Sequence, residues 1–486
     1  MKNRPDKIQT GRKPIMTDNN SISLKEHFAI IKHLVRWTFL VVPIALVIGS
    51  MVAFFLWLLG VAIHFNFNHP WLLFLLPLAG LLIHLIYQSV GKSSEKGNNL
   101  IMEQIHVEGG GVPKRMAPII LVTTVITHLF GGSAGREGTA VQIGGSIAAM
   151  FAGWFKLKGI DMRMILTTGV AAGFGAVFGT PVTGAIFAME VLTIGRIQYD
   201  ALLPALIAAV VGDMTVAAWH VSHVHYHIAL LPQTPYFLSD FLHFDILLIG
   251  KVIISSAVFG LASFLFAGMV HEIKTICLKV FKHKWMIPVF GGLAIIGLTF
   301  LLGKPDYLGL GVEAEYPGAV TIPSAFHLAG SDTWSWLWKT IYTTLTLGTG
   351  FKGGEVTPLF YIGATLGNTL SGLLNAPVSL FAALGFIGVF AGATNTPLAC
   401  TFMGVELFGG EHVLLFAVAC FTAYFFSGHS GIYSAQRIAV PKIFDEYFAD
   451  EASLSESMKR RGYMHQKLRK YTLLFKKRNN DGTRNY

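Results

Sequence analysis

Long apolar stretches separated by short polar breaks run through most of the chain. They cover residues 37–62, 71–88, 116–130, 164–192, 201–219, 244–270, 285–302, 357–374, 378–393 and 411–426. Several reach the roughly 20 residues that a helix needs to cross a bilayer. The pattern predicts an all-α polytopic membrane protein, not a soluble domain with a large core. Two stretches, 221–243 and 303–335, read as loops. The 52 glycines include many adjacent pairs, which suits helices that pack closely or break inside a membrane.

Within this pattern one segment repeats. The stretch GTPVTGAIFAMEVL at 179–192 is echoed by NTPLACTFMGVELF at 395–408. Each has Thr-Pro, then a glutamate nine residues after the proline: Glu190 after Pro181, and Glu406 after Pro397. A glycine-rich turn lies upstream of each, GREGTAVQIGG from Gly135 and GGEVTPLFYIGA from Gly353. With Gly135 matched to Gly354, the turns precede their prolines by 46 and 43 residues. Two halves carrying the same broken-helix signals point to a transporter built from repeats, with its site at their interface. The equivalent glutamates Glu190 and Glu406 read as scaffold, hydrogen-bonding buried backbone or a basic partner, in preference to direct transport.

Composition agrees with a membrane protein. The chain is 13% charged, against about 25% in soluble proteins. Its net charge of +10 comes from the ends, since residues 1–36 and 442–486 each carry an excess of five basic side chains. The expected organisation is a basic tail at 1–36, a transmembrane domain at 37–440 and a basic tail at 441–486, with repeats at about 37–220 and 244–440. The positive-inside rule puts both tails in the cytoplasm. A run such as KLRKYTLLFKKR reads as a topology determinant lying on anionic lipid rather than a nucleic-acid site. The first apolar segment is too long for a cleavable signal. Cys277, Cys400 and Cys420 form no motif, and the alternating His223, His225 and His227 lack the partners of a metal site, so neither a metal nor a cofactor is expected. No nucleophile–base pair emerges, which argues against an enzyme.

The turn GGSAGREGTA at 131–140 places Arg136 and Glu137 in apolar surroundings. A helix that starts inside a membrane leaves its first N–H groups unpaired, which is tolerated only where they line a cavity or meet an ion. Those groups and the helix dipole favour an anion, and glycine lets a ligand approach the backbone. Glu137 would hold a carboxylate where an anion could otherwise bind. It would compete with the anion when charged and carry a proton when neutral. The alternative is a cap paired with Arg136. Arg136 and Lys352, beside the two turns, either raise the local positive potential or anchor the turns by hydrogen bonds.

These residues carry a family resemblance. GREGT followed by AVQIGG resembles the GREGP signature of CLC anion channels and transporters, and the likeness extends from about residue 37 to 440, with both Pro-to-Glu echoes and the second turn. It implies a CLC fold with two inverted-topology repeats and broken helices, a homodimer with a pathway in each subunit, and a gating, proton-carrying role for Glu137. The tempting GGGVP at 109–113 is not the family's first anion motif. Counting back through Pro118, that motif falls on GNNLI at 97–101, so Asn98 stands where chloride-handling members have serine. Val356 and Thr357 of GGEVTP take the anion-contacting places, with Gly135, Arg136 and Gly138 on the first turn. Tyr433 fits the family's tyrosine, Thr139 replaces the motif proline, and Val191 stands where chloride exchangers have an inner proton-transfer glutamate.

Together these departures resemble the fluoride-exporting branch, which implies a fluoride/proton antiporter of a bacterial plasma membrane. A chloride channel or exchanger is the alternative within the family, and a non-transporting scaffold or receptor the alternative outside it. Fluoride is small and tightly hydrated, so a selective site must replace several strong hydrogen bonds. The Asn98 amide offers two N–H donors where serine offers one hydroxyl, and it is equally suited to capping a helix start.

Overall fold

The computed structural model describes residues 24–107, 111–224, 226–228, 245–442 and 453–456. Most of both basic tails, His225 and the greater part of the 221–243 loop lie outside the described residues. The chain divides into two compact units, 1–40 and 41–486. The described part of the first is the opening of helix α1, Leu24–Asn68.

Among its described residues the second unit is mostly helical. Its first half continues with α2 (Leu76–Ile86), α3 (Asn98–His106), α4 (Met116–Leu129), α5 (Glu137–Trp154), α6 (Gly159–Phe178), α7 (Pro181–Glu190) and α8 (Leu202–Ala218). The second half holds α9 (Ile246–Val280), α10 (Met286–Leu302), α11 (Ser335–Gly348), α12 (Val356–Leu374), α13 (Val378–Thr394), α14 (Pro397–Phe408) and α15 (Val413–Phe426). Five helical segments among the described residues are long and apolar enough to cross a membrane. Others, such as α4, α7 and α14, are too short to do so alone. These are the broken helices that the glycine-rich turns and Thr-Pro echoes predict. The 303–335 stretch is largely irregular, as its polarity suggests, with one short 3-10 turn at Ser324–Phe326.

Four helices lie outside the apolar runs; the glycine-rich turn and the Thr-Pro echo mark α5 and α14, whereas nothing marks α3 and α11. The α3 sequence, NNLIMEQIH, is half polar and short. In α11, SWLWKTIYTTLTLG, a lysine and four threonines break the apolar pattern, yet Lys339, Thr340, Thr343, Thr344 and Thr346 are all buried. The helix satisfies three of these hydroxyls itself, as Thr340, Thr344 and Thr346 donate to carbonyls four residues earlier at 2.7–2.8 Å, while Thr343 bonds the Ser133 hydroxyl at 2.9 Å. Threonine can therefore be buried here without an external partner.

The repeat is legible in the packing. A Cβ on Gly144 would stand 2.1 Å from the Gly169 carbonyl oxygen, and one on Gly363 would stand 2.1 Å from that of Gly385. Gly144 and Gly363 each lie nine residues after the matched Gly135 and Gly354, while Gly169 and Gly385 each lie twelve before the matched prolines. The α5–α6 and α12–α13 pairs thus cross backbone to backbone at equivalent points, which only glycine permits.

The Thr-Pro breaks are built alike. Helix α6 ends on Gly179 at φ 71° and α13 on Asn395 at φ 59°, both left-handed. Proline then restarts a helix at its first position, where its missing N–H is no loss. The glutamate ending each segment caps the other repeat. Glu190 accepts from the Leu398 and Ala399 N–H groups at 3.0 and 2.7 Å. Glu406 accepts from those of Val182 and Thr183 at 2.9 and 2.8 Å, and from the Thr183 hydroxyl at 2.6 Å. The scaffold role read from their symmetry takes this form, a reciprocal pair of helix caps.

Candidate functional site

The two glycine-rich turns meet. Gly135 N–H donates to the Gly354 carbonyl at 2.6 Å, and Gly354 N–H returns a bond to Gly135 at 2.7 Å. This bridge pairs the two glycines that the sequence matches. It sets Glu137 and Val356, the first residues of α5 and α12, at equivalent places. Side chains are barred from the junction: a Cβ on Gly135 would lie 2.9 Å from Glu137 Oε2, and one on Gly354 would lie 2.7 Å from the Gly138 nitrogen.

Glu137 is 2% exposed. Its carboxylate crosses to the other repeat, where Oε2 accepts from Thr357 N–H at 3.0 Å and Oε1 from the Thr357 hydroxyl at 2.5 Å. Oε2 also accepts from the Arg136 backbone N–H at 3.1 Å, and Arg136 Nε lies 3.7 Å from Oε1. The carboxylate therefore sits at the N-terminus of α12, where unpaired N–H groups and the helix dipole attract negative charge. The equivalent residue, Val356, returns no carboxylate to α5. The symmetry of the Glu190 and Glu406 caps is thus broken at this third carboxylate contact.

On one side of the junction a narrow cavity is lined by Asn98, Val141, Phe187, Val191 and Tyr433 among others. Asn98 opens α3, and its Nδ2 lies 3.1 Å from where a Cβ on Gly138 would stand. Its Oδ1 is buried with no hydrogen-bond partner among the described residues. Tyr433 is 3% exposed and meets Phe187 edge-on, at 6.5 Å between ring centroids. Asn98, Tyr433 and Val191 therefore share a single space, although 335 residues separate the first two in sequence.

A wider cavity of about 730 Å³ approaches from elsewhere and has Arg136 and the buried His128 among its lining residues. The 305–320 loop forms much of its wall, with Asp306, Glu313 and Glu315. Burial, and secondarily the charge of Asp306, raise the Glu315 carboxyl above its ordinary range. Lys339, fully buried, fixes this loop by donating to the Tyr307, Leu308 and Gly309 carbonyls at 3.2, 3.2 and 2.8 Å.

The fold agrees with what known proteins show. The profile of the voltage gated chloride channel family matches residues 79–428. The chain belongs to this family of CLC proteins. It is 43% identical over 423 residues to a chloride/fluoride channel protein of Pseudomonas syringae pv. tomato, covering 86% of this chain and 90% of that one. It superposes on the crystal structure of a CLC-type fluoride/proton antiporter with a TM-score of 0.76 and 35% identity, covering 83% of this chain and 98% of the other. A cyanobacterial Cl−/H+ antiporter, at 18% identity, shares the fold with a TM-score of 0.67. This CLC protein is accordingly an all-α membrane protein of the channel and antiporter type.

The structure gathers the site residues singled out in the sequence into two adjoining groups. Gly135, Arg136, Glu137, Gly138, Val356 and Thr357 form the paired turns, and Asn98 with Tyr433 lines the narrow cavity beside them. Lys352 points away, its Nζ 4.3 Å from the centre of the Tyr87 ring, while its N–H donates to Thr127 at 3.3 Å. It anchors the second turn. His223, the described member of the alternating histidines beside His227, lies 3.9 Å from Asp213, and no metal-holding group occurs among the described residues.

Three polar residues escaped the sequence reading. Glu355 is the counterpart of Arg136 in the glycine register, and its Oε2 lies 3.8 Å from a Cβ position on Gly138, close to Asn98. Its signal was the single acid inside GGEVTP. Lys339 was legible as a lone charge within α11, and His128 as a lone histidine three residues before the glycine pair Gly131–Gly132.

Proposed function

We propose that this CLC protein exports fluoride in exchange for protons across the bacterial plasma membrane, with Glu137 as both gate and proton carrier. The observation that carries this reading is the Glu137 carboxylate seated on the Thr357 N–H and hydroxyl at the start of α12. A charged carboxylate there excludes a free anion. Protonation removes its charge and weakens its hold, so the same donors become available to fluoride. Alternation between the two states exchanges one ion for the other at one position.

Fluoride in preference to chloride is supported by the donor set around the junction. The Asn98 amide, the Tyr433 phenol and the N–H groups of Val356 and Thr357 offer more donors than a serine-based site, and the glycines Gly135 and Gly138 admit close approach. Arg136 contributes positive charge beside the carboxylate. The names of two similar proteins, a chloride/fluoride channel protein and a fluoride/proton antiporter, lend support. Val191, apolar where chloride exchangers have an acid, leaves Glu137 to carry the proton inward. The proposal includes a homodimer with one pathway per subunit, a transport domain at 37–440 and both basic tails in the cytoplasm.

The test is ion flux from liposomes holding the purified protein, with fluoride, chloride and internal pH recorded together. Fluoride efflux accompanied by proton influx, well above chloride flux, is the expected result. Equal or greater chloride flux moves the protein to the chloride-handling side of the family. Absence of both points to a scaffold.

A further inference from the structure

The narrow cavity has walls from several distant parts of the chain, and one turn ties three of them together. Tyr433 begins this turn, in which Gln436 N–H donates to the Tyr433 carbonyl at 3.2 Å. The Gln436 side chain is fully buried and uses both ends of its amide. Its Nε2 donates to the Val191 carbonyl at 2.9 Å and the Thr394 carbonyl at 3.0 Å, while its Oε1 accepts from Asn395 Nδ2 at 3.0 Å. Val191 belongs to the first repeat and is itself a wall of the cavity. Thr394 and Asn395 end α13 of the second repeat.

A second bond reaches the wall formed by α3. Ala435 N–H donates to Asn99 Oδ1 at 2.9 Å, and Asn99 directly follows Asn98 at the start of α3. The turn that carries Tyr433 is therefore bonded to the residue beside Asn98 and to Val191 itself. Further bonds hold it from behind. Ile432 N–H donates to the Ala393 carbonyl at 2.9 Å, and Leu454 N–H donates to the Gln436 carbonyl at 2.8 Å. Lys442 Nζ donates to Asn395 Oδ1 at 2.6 Å, which leaves the Asn395 Nδ2 group to serve Gln436 and the Ser430 carbonyl.

We propose that Gln436 and Asn99 are positioning residues of the anion pathway, setting the spacing between the Tyr433 phenol and the Asn98 amide. Neither lines the narrow cavity; each acts on a residue that does. A small anion needs donors at a fixed short separation, so loosening this turn weakens discrimination between fluoride and chloride more than it weakens the fold. The inference rests on the fluoride reading above.

The experiment is a double-mutant cycle in liposomes. Gln436→Met keeps the volume and removes all three side-chain bonds. It is combined with Tyr433→Phe, and the fluoride-to-chloride flux ratio is measured for wild type, both single variants and the double variant. Residues that act through a shared contact are non-additive, here by roughly threefold or more in the ratio. Gln436→Met should lower the ratio in the Tyr433 background and change it little in the Tyr433→Phe background. An unchanged ratio in Gln436→Met overturns the proposal, as does a loss that multiplies fully with that of Tyr433→Phe. If Gln436→Met does not yield folded protein, Asn99→Ala enters the same cycle with the same criteria. Wild-type flux tests the fluoride reading separately: if it carries chloride and little fluoride, that reading fails, and the cycle is then read on chloride turnover.

Discussion

Glu137 and Thr357 belong to opposite repeats, and Thr357 gives the Glu137 carboxylate both its backbone N–H, at 3.0 Å, and its hydroxyl, at 2.5 Å. Everything else at the junction serves this contact: the Gly135–Gly354 bridge sets its register, and the absence of side chains at those glycines gives it room. A side chain in an ion's place has to leave for the ion to pass.

Glu137→Gln keeps the size of the side chain and mimics the neutral form alone. With Val191 apolar, no second acid stands ready at that position. Fluoride efflux and proton influx should both stop in liposomes, with the protein still folded by chromatography. Surviving coupled exchange removes Glu137 from the mechanism, while a fast fluoride leak without protons leaves it as a gate and gives the proton step to another group.

Thr357→Val removes the hydroxyl but leaves the N–H of the same residue. A hydrogen bond to a charged partner is worth about 1.5–3 kcal/mol, so the seated carboxylate should be weakened by roughly tenfold or more. Fluoride should then leak without its proton, seen as a fluoride-to-proton ratio above that of wild type. A wild-type ratio would detach the Thr357 hydroxyl from gating.

How much of this was readable in the sequence differs from residue to residue. The repeat was readable because the Thr-Pro, glutamate and glycine spacings are local and recur. The Gly135–Gly354 match needed only that spacing. Helix α11 was hidden because its threonines look polar while bonding their own backbone. The family resemblance picked out Tyr433 and Asn98. Their placement around one space depends on a turn bonded to Asn99 and Val191, a long-range relation that no periodicity encodes. Glu355 was in view within GGEVTP, but its bearing on Gly138 and Asn98 comes from the pairing of the turns in space.

The reciprocal caps predict a variant that separates stability from transport. Glu190→Ala leaves the Leu398 and Ala399 N–H groups unpaired, at about 1–3 kcal/mol for the buried Ala399 donor and less for the half-buried Leu398 donor. The unfolding temperature in detergent should fall clearly, and Glu190→Gln, which keeps one acceptor, should fall less. The fluoride-to-proton ratio of protein that does fold should match wild type. A changed ratio would give Glu190 a part in transport that its bonding does not suggest.

Tyr433→Phe removes a buried phenol hydroxyl from the cavity that it shares with Asn98. If fluoride receives that hydrogen bond, its loss should slow fluoride turnover by roughly tenfold or more. Chloride, larger and less strongly hydrated, should be affected less, so the flux ratio falls. Unchanged flux and selectivity would mean that the phenol does not meet the anion.

Asn98 offers the sharpest test of selectivity, because its amide donors lie at the start of α5. Its Oδ1 is buried without a partner among the described residues, and its Nδ2 lies against Gly138 at the start of α5. The unpaired Oδ1 is an acceptor and cannot hold an anion, so the case for Asn98 rests on the Nδ2 donors beside Gly138. Asparagine presents two N–H donors; serine presents one hydroxyl on a shorter side chain. Asn98→Ser should therefore withdraw donors from the anion and leave a larger space. Both changes penalise a small, strongly hydrated anion more than a large one. The fluoride-to-chloride flux ratio should fall by roughly tenfold, the equivalent of one net hydrogen bond to a charged partner, while proton coupling through Glu137 persists. Asn98→Ala, which removes every donor, should lower the ratio further. If both variants keep the wild-type ratio, Asn98 only opens helix α3, and discrimination must come from Thr357, Tyr433 and the backbone of the paired turns.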